Sequence, residues 1–115
     1  MTSTFSAVSF DTHDAAAVAA FWADVLGGGV AAGASSAHAV VEASGSRPRI
    51  AFHHVPEGKT VKNRLHIDVI AGDFGTECER LLRLGARRLT DLVDGGARWA
   101  TFADIEGNEF DVIAG

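Results

Sequence analysis

The residues of this chain that can do chemistry are histidines and carboxylates set in alternation with apolar side chains. In RLHIDV, residues 64–69, Leu65, Ile67 and Val69 alternate with His66 and Asp68, and in NEFDVI, residues 108–113, Phe110 and Val112 alternate with Glu109, Asp111 and Ile113. Successive strand side chains point to opposite faces, so the apolar sets belong to a core and the polar sets to the face away from it. In ARWATF, Ala100 and Phe102 fit the core, which leaves Trp99 and Thr101 on the open side. In RIAFHHV, Ile50, Phe52 and His54 share one face while Ala51 and His53 share the other. With Phe52 in the core His53 enters the open face, and a shift of one residue substitutes His54. If the open faces converge, His53, His66 and Asp111 meet in one concavity with Trp99 as an aromatic wall. Two imidazoles and one carboxylate suit a divalent transition metal that keeps positions for water or substrate. Parity assigns a face and not a distance, so the plain reading stands beside this one: His66 as a strand histidine bonded to Asp68 or backbone, and Glu109 as a solvated or turn residue.

Helices and turns must position these groups. Val18, Phe21, Trp22, Val25 and Leu26 recur at helical spacing after Asp14, and Phe74, Cys78, Leu81 and Leu82 do so after Asp73. Leu26-Gly27 and Leu84-Gly85 close the two helices, glycine being suited to the left-handed backbone of a helix end. A short strand precedes each helix, over 5–10 and 64–69, and three strand-like runs follow each: about 28–33, 37–43 and 48–55 in the first half, and 86–92, 97–103 and 108–113 in the second. Ala and Gly dilute the pattern of the first three. The segment Ile105-Glu106-Gly107-Asn108 reads as a tight turn. The order strand, helix, strand, strand, strand thus occurs twice and predicts an α+β chain of two sheets, each with one face covered by its own helix.

The 115 residues suit one domain, read here as 1–115 with modules of about 1–58 and 59–115. A net charge of −5 argues against nucleic acid, although Lys59, Lys62 and Arg64 form a short basic loop that can hold a small anion. The single cysteine, Cys78, has no partner within the chain for a disulfide, which suits a reducing, cytoplasmic setting. No apolar run reads as a membrane span and the first residues do not read as a signal peptide.

The doubled module, with AAFWADVLGG at 19–28, KTVKNRLHIDV at 59–69, LLRLGARR at 81–88 and DIEGNEFDV at 104–112, resembles the glyoxalase-like branch of the vicinal oxygen chelate superfamily, which includes glyoxalase I, bleomycin-resistance proteins and extradiol dioxygenases. That resemblance implies two βαβββ modules whose sheets form a cup, commonly paired as a homodimer. Metal-dependent members take ligands from the first and last strands of each module, here His66 and Asp111 in the second and His53 in the first. The first strand of the first module offers only Ala7 and Ser9, so a fourth ligand is missing. The implied function is binding of a small organic molecule, with a divalent metal (Zn, Ni, Mn or Fe) supporting lyase, isomerase or dioxygenase chemistry. Glu109 or Asp68 is then the candidate base, and Trp99, Thr101 and Arg64 are the candidate ligand contacts. The alternative is a metal-free sequestering protein of the bleomycin-resistance type, which holds a planar compound by apolar burial.

Overall fold

A computed structural model describes residues 2–115. The chain divides into two compact units, the first ending at Gly58 and the second running from Lys59 to Gly115. Both are α+β.

In the first unit, β1 (Ala7–Thr12) leads into α1 (Ala15–Leu26), followed by β2 (His38–Val41) and β3 (Arg49–His54). Asp14 caps α1 by accepting from the Ala17 amide, and Gly27 ends it at a φ of +70°, a conformation that costs a residue without Cβ little. Its apolar stripe, Val18, Phe21, Trp22 and Val25, is buried. The strand order is β1-β3-β2, with β1 and β3 parallel. Phe10 and Phe52 pair across that junction with ring centroids 5.2 Å apart, and Phe10 also meets Trp22 of the helix. The run over 28–33 does not form a full strand. It is reduced to a bridge between Val30 and Val41, supported by Ala31 N–H to Val40 O and Glu42 N–H to Gly29 O. Gly27, Gly28, Gly29 and Gly33 provide no side chains to pack and lose the most backbone freedom on ordering, so this edge stays minimal.

The second unit contains β4 (Ile67–Ala71), α2 (Phe74–Arg83), β5 (Arg87–Asp94), β6 (Ala97–Ala103) and β7 (Glu109–Ala114), with sheet order β4-β7-β6-β5. Asp73 caps α2 through the Thr76 amide. Glu77 of the first turn and Arg80 of the last pair at 2.6 Å; this hydrogen bond outweighs burial and holds the Glu77 carboxyl below its ordinary value. Phe74, Cys78 and Leu81 face the sheet and meet Phe110, Val112, Ala100 and Phe102 in a buried layer. Leu82 belongs to the helical spacing but is 46% exposed, because the stripe that contacts the sheet is narrower than the apolar pattern. Cys78 is buried and its thiol pKa is raised by desolvation, which makes it a packing residue. The exposed edge strand β5 carries Arg87, Arg88, Asp91 and Asp94 and a bulge between Arg88 and Thr90, features that discourage further strand pairing. Among the described residues, no helix is long and apolar enough to cross a membrane.

Candidate functional site

The register of the second sheet arranges its open face in rows. Asp68 of β4 pairs with Asp111 of β7, Asp111 with Thr101 of β6, and Thr101 with Thr90 of β5. This polar row lies opposite Phe110, Val112, Ala100 and Phe102, as alternation requires. His66 stands one residue before β4 and joins the row from its end. Its Nδ1 lies 2.8 Å from Asp68 Oδ1 and 3.9 Å from Asp111 Oδ2. Thr101 Oγ1 donates to Asp111 Oδ1 at 2.6 Å, which fixes the carboxylate and leaves Oδ2 turned toward the imidazole.

One ligand atom from each of His66, Asp68 and Asp111 falls within a span of 4.8 Å. Donors about 2.0–2.2 Å from a common ion are at most roughly 4.4 Å apart, so a small side-chain adjustment brings all three into coordination. One imidazole and two carboxylates are a donor set that suits a divalent ion such as Mn, Fe or Zn. Fractional side-chain exposures of 42%, 50% and 20% for His66, Asp68 and Asp111 leave the cluster open to a ligand from one side.

Glu109 has a different role. Its carboxylate accepts from the Asn63 amide at 3.1 Å and is ion-paired with Lys59 at 3.7 Å and Lys62 at 3.5 Å, while Asn63 Nδ2 donates to the Glu109 and Leu65 carbonyls. Burial pushes the Glu109 pKa up, but the Asn63 hydrogen bond and the two ammonium charges together hold it below its ordinary value. A carboxylate so engaged makes a poor base. It straps the segment that leads to His66 onto β7. Arg64, exposed on that segment, stands two residues before His66, and Leu65, expected in the core, is 75% exposed because the strand begins only at Ile67.

The next row along the same face is apolar: Ile70 pairs with Ile113, Ile113 with Trp99, and Trp99 with Leu92. Two residues of strand separate the rows, about 7 Å. Ile70 and Leu92 are 76% and 45% exposed, and Trp99 is half-buried. Parity located Trp99; the row of four needs the register, and no local pattern in the sequence reveals it.

Among the described residues, the first unit carries no counterpart of the row formed by His66, Asp68 and Asp111. Counting back from the capping residues Asp14 and Asp73, Ala7 and Ser9 stand where His66 and Asp68 stand, and Ala51, paired with Ser9, stands where Asp111 does. His53 lies two residues beyond Ala51, at the position corresponding to Ile113, with its ring 5.0 Å from that of His38. Parity alone does not separate positions two residues apart on one face, so the last-strand ligand position assigned to His53 from the sequence goes to Ala51. The turn after β6 is purely architectural. Buried Asp104 accepts at Oδ1 from the Glu106 and Asn108 amides, and Asn108 Nδ2 bonds both its carboxylate oxygens.

The sequence profile of the glyoxalase-like domain matches residues 7–113. No curated protein sequence matches the chain. Among solved structures, a variant of the fosfomycin resistance protein FosX from Listeria monocytogenes, complexed with Mn(II) and 1S,2S-dihydroxypropylphosphonic acid, has a TM-score of 0.77 at 16% identity, covering 100% of this chain and 92% of that one. A glyoxalase/bleomycin resistance protein/dioxygenase family enzyme from Burkholderia phytofirmans PsJN gives 0.74 at 19% identity over 95% and 96% of the two chains. Lactoylglutathione lyase from Agrobacterium tumefaciens gives 0.67 at 16% identity over 100% and 96%.

Proposed function

The chain belongs to the glyoxalase-like domain family, and we propose that it is a divalent-metal-dependent protein that binds a small organic molecule through two neighbouring oxygen atoms. The observation that carries this reading is the convergence of His66, Asp68 and Asp111 within 4.8 Å on the open face of the second sheet. These three residues would hold the ion. When bound, such an ion supplies Lewis-acid stabilisation of an enolate-like oxyanion, the step from which lyase and isomerase reactions of this kind proceed.

The remaining groups have positional roles. Thr101 holds Asp111 so that one oxygen faces the ligand site. Asp68 accepts from His66 and so orients the imidazole before it coordinates. The strap of Glu109, Lys59, Lys62 and Asn63 positions the backbone ahead of His66. Trp99, with Ile70, Ile113 and Leu92, offers the ligand an apolar bed in the row next to Asp68 and Asp111, about 7 Å along the strands. The favoured ligand is therefore a molecule with vicinal or α-oxygenated carbons at one end and an apolar or aromatic body at the other.

The test is Mn2+ binding to untagged protein, followed by loss of the free-ion EPR signal, in the wild type and in His66→Ala and Asp111→Ala. One ion per chain, lost in both variants, supports the reading; no binding by the wild type, or binding unchanged in both variants, overturns it. The apolar row favours a second reading, sequestration of a planar compound without turnover. In that case ligand affinity survives chelation of the metal and falls in Trp99→Ala.

A further inference from the structure

The row of the first sheet that corresponds to the apolar row of the second has the opposite chemistry. Asp11 of β1 pairs with His53 of β3, and His53 pairs with His38 of β2, so one carboxylate and two imidazoles lie side by side across three strands. All three are exposed, on the face opposite buried Ala39, Phe52 and Thr12. The His38 and His53 rings have centroids 5.0 Å apart with their planes at 49°. Their backbones are well anchored: Ser35 Oγ accepts from the His38 amide and Ser35 N–H donates to the His38 carbonyl, while Thr12 Oγ1 donates to the His53 carbonyl.

We propose that His38 and His53 form a two-imidazole site for a borderline transition-metal ion, of the Zn2+, Ni2+ or Cu2+ class, with Asp11 on the neighbouring strand adding negative charge to that face. The distance supports this. With metal–nitrogen bonds of about 2.0–2.1 Å and a ring centroid about 1.1 Å behind each nitrogen, a shared ion sits roughly 3.2 Å from each centroid. Centroids 5.0 Å apart then subtend roughly 103° at the ion, between square and tetrahedral. Exposed imidazoles turn readily about χ2, so directing one nitrogen of each ring at that point needs no backbone movement. Imidazole donors select these ions over Mg2+, Ca2+ and Mn2+, which separates this pair from the carboxylate-rich cluster of His66. The neighbouring pair His13 and His54 is less suited: its centroids are 5.8 Å apart and His54 Nδ1 is already bonded to the His13 carbonyl. The inference does not rest on the proposed function, since none of its residues belongs to that cluster.

The experiment is titration of the full chain with Ni2+ by calorimetry, in parallel with Cu2+-induced broadening of the histidine ring resonances by NMR. His38→Ala and His53→Ala should each weaken one Ni2+ site at least tenfold, and the double variant should be no weaker than either single one, because the residues act as one chelate. His13→Ala and His66→Ala should leave that site unchanged. Substoichiometric Cu2+ should broaden the His38 and His53 rings first. Ni2+ affinity unchanged in His38→Ala, or a single site lost in both His53→Ala and His66→Ala but kept in His38→Ala, overturns the proposal. The conservative variants His38→Gln and His53→Gln, with circular dichroism of each protein, separate loss of ligation from loss of fold.

Discussion

Glu109→Gln tests whether this carboxylate is a strap or a base. The change keeps an oxygen acceptor for the Asn63 amide but removes the charge facing Lys59 and Lys62. A hydrogen bond to a charged group contributes about 1.5–3 kcal/mol and a neutral one about 1, so that contact loses roughly 1 kcal/mol. The Lys59 pair, with a side chain 24% exposed, adds a few tenths, and the Lys62 pair, with a side chain 74% exposed, adds little. The sum is about 1–1.5 kcal/mol, or roughly 4–6 °C in Tm for a chain of this size. The pH dependence has a fixed sign. The folded pKa of Glu109 is depressed, so its contribution is fully present above the unfolded value and is lost as pH falls through the folded one. The gap between wild type and Glu109→Gln, measured by urea denaturation, should therefore be constant from pH 7 to about 5.5 and close progressively below about 4.3. Equal stability of the two proteins at pH 7, or a gap that persists at pH 3, would refute the strap.

Other consequences follow from the same geometry. Thr101→Val removes the hydroxyl that orients Asp111 and should weaken Mn2+ binding about tenfold while leaving the fold intact, as read by EPR and circular dichroism. Asp104→Ala strands the amides of Glu106 and Asn108 and should cost about 2–4 kcal/mol in urea denaturation. Gly85→Ala places a Cβ at a φ of +104° and 3.1 Å from Ile105 Cγ2, and should lower stability by at least about 1 kcal/mol.

How far the sequence reaches differs between the two halves of the chain. Helical spacing after Asp14 and Asp73 marks α1 and α2 to within a residue at their starts, because a side-chain cap and an apolar stripe are local signals. Alternation in β6 and β7 assigns Phe102, Phe110 and Val112 to the core and Trp99, Thr101 and Asp111 to the open face for the same reason. The glycine-rich run before β2 does not follow the expected strand pattern, since backbone without side chains leaves pairing to its neighbours. The site depends on register, which joins residues far apart in the chain. Asp68 faces Asp111, and His53 faces His38 while Ala51 takes the place of a ligand, only because particular strands align at particular residues. Local composition therefore determined the elements, their faces and the candidate donors. Tertiary pairing decided which donors stand within bonding distance of one another, because that distance is set by hydrogen-bonded strand alignment, which short-range spacing does not encode.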